Sequence, residues 1–178
     1  MLAIAAFLGD APPRDDNCGA YCLYVSLRAL DVEVGGFDAL QQKLGSPGRT
    51  GYSLGQIAEV AEAYGVQTLG VKTTPEDLRL REAPFACIAL IRESHFVNFA
   101  EIDESQVHVV DPPREYTLPL ATLSTVWKGE ALLLSRGPLV SETDLARKVW
   151  MFRAAVIAVC TLLLVALCWG TVRWRRRN

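Results

Sequence analysis

A run of 19 uncharged, mostly apolar residues at 154–172 constrains the fold of this chain more than any other feature. At about 1.5 Å per residue, a helix of that length spans roughly 28 Å, close to the hydrocarbon thickness of a bilayer. The remainder of the chain is too small to surround such a helix, which disfavours a buried core helix. Trp150, Trp169 and Trp174 would lie near the two membrane interfaces. The pattern therefore predicts one transmembrane helix over 150–173.

The rest of the chain divides into one domain over 1–136, a linker over 137–149 and a basic tail over 174–178. The formal net charge of −2 conceals a split, because residues 1–141 carry 11 basic and 18 acidic side chains. An acidic domain argues against nucleic acid as a partner, whereas a basic end beside an apolar run argues for the lipid bilayer. Five cysteines without metal-type pairs predict neither a metal site nor a cofactor.

The orientation of the predicted span depends on the basic residues that flank it. Four arginines follow the run, at 173 and 175–177, and three basic residues precede it. The positive-inside rule favours a single-pass protein with a cytoplasmic C-terminal tail and an extracytoplasmic domain. Residues 1–8 lack a basic start and make a poor signal peptide, so they are either an initial strand or turn or the remnant of a longer signal. A tail-anchored cytoplasmic domain is the alternative topology.

Helical periodicity dominates the first half of the domain. Apolar residues over 20–30 fit a largely buried helix that begins near Cys18, and residues 37–44 fit a short amphipathic helix. Ser53 is a candidate N-cap for a helix over 54–64, where apolar residues again recur at helical spacing.

The second half of the domain changes to strand patterns. Residues 85–91 form a continuous apolar run that suits a buried central strand. Further strands are predicted over 66–71, 95–102, 106–110, 115–118 and 131–135, with brief helices over 74–80 and 120–127. Helices first and an antiparallel sheet afterwards predict an α+β fold.

Cys18 is the candidate nucleophile because it lies where the first predicted helix begins. The unpaired N–H groups and the positive dipole end of a helix favour thiolate, although a buried structural cysteine is the commoner outcome. His95 opens one predicted strand and Asp111 closes the next, so antiparallel pairing would bring imidazole and carboxylate together. A cysteine nucleophile requires such a base, oriented by a third group. His108, the only other histidine, is the alternative base and otherwise a residue of the strand surface.

The segments around these residues resemble the bacteriocin-processing, double-glycine peptidase family, cysteine peptidase family thirty-nine, best known as the N-terminal domain of peptide-exporting ABC transporters. The matching pieces are Cys18-Gly19 with Cys22-Leu23, His95-Phe96-Val97, Asp111-Pro112 and residues 127–134, within a resemblance that covers about residues 10–136. The resemblance implies a papain-like domain that hydrolyses peptides or leader peptides through a Cys18, His95 and Asp111 triad, with the cleft between Cys18 and His95. No transporter bundle or phosphate-binding lysine motif follows here, so an exporter would be a partner in trans.

Relatives of this kind carry a glutamine six residues before the cysteine, and its side-chain amide helps to hold the oxyanion of the tetrahedral intermediate. That position here is Pro12, which has no donor. Asn17 is the candidate for the missing donor, and Arg14 is the alternative. The competing interpretation is that Asn17 only caps the helix.

Three functional hypotheses follow. The first is a membrane-anchored cysteine peptidase that acts on a peptide or protein substrate with small residues before the scissile bond. The second is a catalytically weak or inactive peptide-binding domain of the same fold. The third is a thiol acyl transferase, which would use the same triad with an amine in place of water.

Overall fold

The structure is a computed structural model that describes residues 17–49, 51–81, 84–92 and 94–139. All of these residues belong to one compact unit that ends at Leu139. The predicted span over 150–173, the basic tail over 174–178 and most of the linker lie outside the described residues, as do Pro12 and Arg14. No helix within the described ranges is long and apolar enough to cross a bilayer.

Five α-helices occur in this part of the chain: α1 (Cys18–Ala29), α2 (Phe37–Leu44), α3 (Leu54–Ala63), α4 (Pro75–Arg79) and α5 (Leu120–Val126). The prediction of a buried helix that begins near Cys18 is confirmed. The cap of α3 is also confirmed, since the Ser53 hydroxyl accepts from the Gln56 N–H while the Gln56 side chain accepts from the Ser53 N–H. Thr74 caps α4 through the N–H of Asp77, and proline follows it at the first helical position.

Six strands form one antiparallel sheet: β1 (Gln67–Lys72), β2 (Ala86–Ile91), β3 (His95–Ile102), β4 (Gln106–Asp111), β5 (Arg114–Pro119) and β6 (Trp127–Ser135). Their order across the sheet is β1-β6-β2-β3-β4-β5. The three longer helices precede every strand of this sheet in the chain, so the predicted α+β class is confirmed.

β6 begins earlier than the sequence predicted. The prediction ended a helix at residue 127 and opened the strand at 131, whereas Trp127 already pairs with Ile91 of β2. Gly129 sits inside the strand at a φ of +92°, and its carbonyl accepts a hydrogen bond of 2.9 Å from the Thr73 N–H. A glycine between polar residues also signals a turn, which is why the sequence pattern hid these pairings.

Apolar side chains cover both faces of the sheet. Ile88 of β2 packs with α1, α2 and α3, while its neighbours Cys87 and Ala89 pack on the opposite face with Leu78 of α4 and Leu123 of α5. A strand buried on both faces has no polar alternation, which accounts for the continuous apolar run that predicted it. α1 lies against β2 and β3 on one side and against α2 and α3 on the other, so its start is held at the edge of the larger cluster.

Candidate active site

Cys18, the candidate nucleophile, is the first residue of α1 and is 9% exposed. The N–H groups of the first helical turn have no partner within the helix, and their dipoles favour negative charge. The first turn of α1 contains no acidic side chain that would oppose such a charge. The start of α1 is therefore a favourable position for a negatively charged sulfur.

Gly19 allows α1 to approach the sheet closely. A β-carbon at this position would lie 3.0 Å from Ile57 Cδ1, 3.2 Å from Phe96 Cδ2 and 3.3 Å from Tyr52 Cβ. Phe96 directly follows His95 on β3, so the tight packing at Gly19 brings the start of α1 against the start of β3. A side chain at this position would prevent so close an approach.

His95 and Asp111 lie at the same end of two neighbouring strands. His95 is the first residue of β3 and Asp111 the last of β4, and Asn98 pairs with Val110 between them. Continued by one residue, this antiparallel register makes His95 and Asp111 diagonal neighbours. His95 Nε2 lies 2.9 Å from Asp111 Oδ1, so the ring donates a hydrogen bond to the carboxylate. Nδ1 is then the ring nitrogen left to face Cys18.

The surroundings of His95 stabilise its protonated form. The hydrogen bond to Asp111 contributes most, a hydrogen bond to Cys18 comes next, and the charges of both groups add to them. Partial burial acts in the opposite direction, and the net effect raises the pKa of His95 to about 10. An imidazolium is therefore favoured between Asp111 and Cys18 near neutral pH.

The other two cysteines of the described ranges are core residues. Cys22 is 0% exposed and Cys87 is 2% exposed. Burial raises the pKa of Cys22 well above its usual range, with smaller contributions from Cys18 and Asp111. Burial also raises the pKa of Cys87 to about 12, against a lowering influence of Arg81. Both thiols are therefore favoured in the protonated form. Among the residues described, no group of three His, Cys, Asp or Glu side chains could hold a metal ion.

Asn17 precedes α1 at the N-cap position, but its side chain makes no capping hydrogen bond. Its φ and ψ of −106° and 5° depart from the extended geometry that a capping side chain needs, whereas Ser53 has that geometry at −87° and 157°. The side-chain oxygen of Asn17 instead accepts a hydrogen bond of 3.3 Å from Gln41 Nε2 of α2. The interpretation of Asn17 as only a cap is therefore wrong, and its amide N–H groups are not used at the helix start.

His108, the alternative base, lies three residues before Asp111 on β4. Side chains alternate along a strand, so the two residues point to opposite faces of the sheet. His108 Nε2 lies 3.4 Å from Glu115 Oε2 of β5, and both side chains are partly exposed. Its position matches the interpretation as a residue of the strand surface.

A buried polar bridge that the sequence did not predict joins α1 and β3. The Ser26 hydroxyl donates to Asn98 Oδ1 at 2.8 Å, and Asn98 Nδ2 donates to the Cys22 carbonyl oxygen at 3.2 Å. Ser26 is 1% exposed and Asn98 3%. A lone amide in an apolar strand and a serine in an apolar helix were visible signals, but only the fold joins residues 72 positions apart.

Comparison with known proteins identifies the family. The sequence model of the peptidase C39 family matches residues 13–138, well over half of the chain. The chain belongs to the peptidase C39 family. Members of this family are cysteine peptidases, and the resemblance to double-glycine peptidases is confirmed. A comparison with curated protein sequences finds no significant match.

Three solved peptidase domains have a similar fold. A double glycine motif protease from an AMS/PCAT transporter, in complex with the leader peptide, is 22% identical with a TM-score of 0.62, over 70% of this chain and 88% of that chain. The peptidase domain of Streptococcus ComA, a bi-functional ABC transporter involved in a quorum sensing pathway, is 15% identical with a TM-score of 0.60, over 71% and 96%. The peptidase C39 like domain of the toxin secretion ATP-binding protein from Vibrio parahaemolyticus is 17% identical with a TM-score of 0.52, over 71% and 100%. The predicted papain-like α+β fold is thereby confirmed.

Proposed function

We propose that this chain is a membrane-anchored cysteine peptidase of the double-glycine type, with a catalytic triad of Cys18, His95 and Asp111. The observation that carries the proposal is the continuous series of contacts from Asp111 Oδ1 through the His95 ring to Cys18. Each member has the chemistry that its role requires: a sulfur at a helix start, an imidazole beside it and a carboxylate that fixes the ring.

In the acylation step, the Cys18 sulfur attacks the carbonyl carbon of the scissile peptide bond while His95 carries the proton. The C–S bond forms, the carbonyl π electrons move to the oxygen, and a tetrahedral oxyanion results. Collapse of that intermediate breaks the C–N bond, and the His95 imidazolium protonates the leaving amine. Asp111 stabilises the imidazolium and keeps the ring oriented, because its Oδ1 holds Nε2 at 2.9 Å.

Deacylation reverses the roles of His95. The neutral imidazole removes a proton from water as the oxygen attacks the thioester carbonyl, and the second tetrahedral intermediate expels the Cys18 thiolate. The product is a carboxylic acid, which loses its proton to solvent as a carboxylate, and the imidazolium beside the thiolate is restored. No redox step or cofactor enters the cycle.

The oxyanion requires donors, and Asn17 is our candidate for one of them. The other is the backbone N–H of Cys18 at the start of α1. The hydrogen bond from Gln41 Nε2 occupies the Asn17 side-chain oxygen, which directs the remaining amide N–H groups away from Gln41. Loss of one oxyanion donor typically costs about a hundredfold to a thousandfold in turnover. Asn17 would therefore replace the glutamine amide that Pro12 cannot supply.

The proposed substrate is a peptide or protein with small residues before the cleaved bond, such as the leader segment of an exported peptide. A leader peptide is bound in the similar AMS/PCAT protease, and the ComA domain belongs to an ABC transporter. Both observations favour an exporter as the partner, and this chain would meet it in trans.

Membrane anchoring by residues 150–173 is part of the proposal and is supported by their length and lack of charge. The proposed topology has a cytoplasmic C-terminal tail and an extracytoplasmic peptidase domain. A reporter fused after Asn178 should then behave as cytoplasmic, and an external signal from it would reverse the topology. A chain that ends at Leu139, the limit of the compact unit, should stay soluble and folded in the absence of detergent.

A weak or inactive peptide-binding domain is the second candidate function, because Pro12 occupies the position of an oxyanion donor. Such a domain has no need of an activated thiol. Iodoacetamide labelling of the detergent-solubilised full chain near pH 7, followed by mass spectrometry, separates the two candidates. A peptidase predicts that Cys18 reacts at least about tenfold faster than Cys22 and Cys87. Equal rates at the three thiols in the folded chain would exclude the catalytic function.

Cleavage is tested with a synthetic leader peptide that carries two glycines before the scissile bond. The wild-type chain should release the leader, and Cys18→Ala should not. Fast labelling of Cys18 with no cleavage in water, but with an amide product when an amine is added, would identify a thiol acyl transferase instead.

A further inference from the structure

A single turn of α1 and a single side chain of β3 are joined by two buried hydrogen bonds. Asn98 Oδ1 accepts a hydrogen bond of 2.8 Å from the Ser26 hydroxyl, and Asn98 Nδ2 donates one of 3.2 Å to the Cys22 carbonyl oxygen. Cys22 and Ser26 are four residues apart, so the Cys22 carbonyl is the acceptor that the helix also offers to the Ser26 N–H. Both ends of one amide are therefore attached to one helical turn.

The contacts that surround this polar bridge are apolar, and their energy depends only weakly on the orientation of the helix. Leu23 and Leu27 of α1 and Ile88 and Phe96 of the sheet belong to the same buried cluster. Hydrophobic burial is roughly proportional to area, so it tolerates small sliding or rotation of a helix on a sheet. Hydrogen bonds weaken steeply when distance and angle change, and they remove that freedom.

The bridge joins the same two elements that carry Cys18 and His95. Cys22 follows Cys18 by one helical turn, about 6 Å along the axis of α1. Asn98 follows His95 by three residues on β3, about 10 Å along the strand. Fixing the Cys22 turn against Asn98 therefore fixes the two elements that carry the nucleophile and the base.

We infer that Ser26 and Asn98 are positioning residues, which set the distance and orientation of Cys18 relative to His95 by locking α1 to β3. This inference rests on the proposed function, since it assigns the bridge a role in that reaction. A displacement of about 1 Å between reacting groups can cost on the order of a hundredfold in rate, so a bridge of this kind affects turnover without touching the substrate.

The test is a double variant, Ser26→Ala with Asn98→Val, in the detergent-solubilised full chain. Replacing both polar partners by apolar groups of similar shape leaves no buried group unsatisfied, so the melting temperature should be nearly unchanged. The inference predicts that kcat for the leader peptide falls about tenfold to a hundredfold at unchanged KM. It also predicts that Cys18 alkylation near pH 6.5 falls by about the same factor, because the imidazolium of His95 no longer lies against the sulfur.

Ser135 supplies the matched control. Its buried hydroxyl, 1% exposed, donates at 2.9 Å to the Pro84 carbonyl at the end of β6, where Ser135 pairs with Gln67 of β1. Ser135→Ala should lower the melting temperature and leave both kcat and the alkylation rate as in the wild type.

If the double variant does not fold, Ser26→Ala alone is the deciding variant, because it removes one of the two bonds and should lower the alkylation rate in the same direction.

The outcomes separate this inference from the proposed function. A wild-type chain with no preferential reaction at Cys18 would contradict the proposed function itself. A wild-type chain with a reactive Cys18, beside a folded double variant of equal kcat and equal alkylation rate, would leave the function intact and overturn the positioning role.

Discussion

The two sides of the candidate site are held in different ways. On the sheet side, His95 and Asp111 lie on adjacent strands and share a direct hydrogen bond of 2.9 Å across a separation of 16 residues. On the helix side, Cys18 is placed by close packing at Gly19 and by the polar bridge of Ser26 and Asn98, whose partners are 72 residues apart. The sheet side is thus built by local pairing, and the helix side by contacts between distant segments.

This difference predicts how each side responds to substitution. A change on the sheet side leaves the strands paired and alters the protonation or orientation of the imidazole. A change on the helix side leaves the chemistry of every group intact and alters the distance between them. The expected loss of turnover is largest at Cys18 and His95, smaller at Asn17 and then Asp111, and smallest at Gly19.

The largest effect is expected where the reacting groups themselves are removed. Cys18→Ala should abolish cleavage of the leader peptide, and His95→Ala should lower kcat by at least about a thousandfold, because no other group carries the proton. His108→Ala is the matched control and should retain nearly full activity, since that ring faces Glu115 on the opposite side of the sheet. Retained activity in His95→Ala together with its loss in His108→Ala would mean that the base has been assigned to the wrong histidine.

The sequence predicted the sheet side of the site much better than the helix side. His95 opens one predicted strand and Asp111 closes the next, and antiparallel strands joined by a short turn bring those two ends together. The position of Cys18 on its helix was equally readable, because the apolar residues that follow it have helical periodicity. The distance from Cys18 to His95 depends on how α1 packs on β3, and local patterns carry no information about that.

The same limit explains the other errors of detail. Residue 127 was assigned to a helix and residues 128–130 to no element, because the pairings of this segment with β1 and β2 are non-local. Asn17 satisfies the residue preference of an N-cap, yet its backbone dihedral angles prevent it from capping. In each case residue type suggested a local role, and tertiary contacts determined another.

The second prediction concerns Asn17, the proposed oxyanion donor on the helix side. Asn17→Ala and Asn17→Asp should both lower kcat by about a hundredfold to a thousandfold, with the larger loss in the aspartate variant because its charge opposes the oxyanion. The melting temperature should fall only slightly, since the side chain makes no capping bond and loses only the 3.3 Å hydrogen bond from Gln41. Thr74→Ala is the matched control, because Thr74 does cap a helix, and it should lose stability and keep its turnover. Unchanged turnover in both Asn17 variants would favour the weak or inactive domain.

The third prediction removes the charge on the sheet side and keeps the geometry. In Asp111→Asn the amide oxygen can still accept from His95 Nε2, so the ring stays oriented and partial activity should remain, about a hundredfold below the wild type. Asp103→Asn is a control in the β3–β4 turn, where Asp103 Oδ1 accepts hydrogen bonds from the N–H groups of Ser105 and Gln106. Its turnover should match the wild type. Activity in Asp111→Asn as low as in His95→Ala would show that the carboxylate is needed for more than orientation.

The charge of Asp111 also predicts how stability depends on pH. The pKa of His95 is raised to about 10, chiefly by its hydrogen bond to Asp111, so the folded state binds this proton more tightly than the unfolded state does. The resulting stabilisation is fully present below the unfolded pKa of about 6.5 and is lost as pH rises through about 10. The free energy of unfolding in urea should therefore fall between these pH values, and it should fall less in Asp111→Asn. An equal fall in both proteins would remove Asp111 as the cause.

The smallest effect on turnover is expected from Gly19→Ala, which tests the packing on the helix side without changing any polar group. The added β-carbon would lie 3.0 Å from Ile57 Cδ1 and 3.2 Å from Phe96 Cδ2, closer than ordinary carbon contacts, so α1 or its neighbours must move by a few tenths of an ångström. Overpacking of this kind typically costs about 1–3 kcal/mol of stability. Because Phe96 follows His95, the same movement would separate Cys18 from His95 and lower kcat by about tenfold.

Gly70→Ala is the matched substitution on the sheet. A β-carbon there would meet nothing within 4 Å, and Gly70 lies on β1, at the edge of the sheet away from β3 and β4. Alanine at that position should therefore leave both the melting temperature and kcat close to the wild type. A loss of stability in Gly19→Ala with full turnover would mean that Cys18 and His95 keep their distance when α1 shifts. The polar bridge alone would then hold the helix side of the site, and its double variant would become the more severe of the two perturbations.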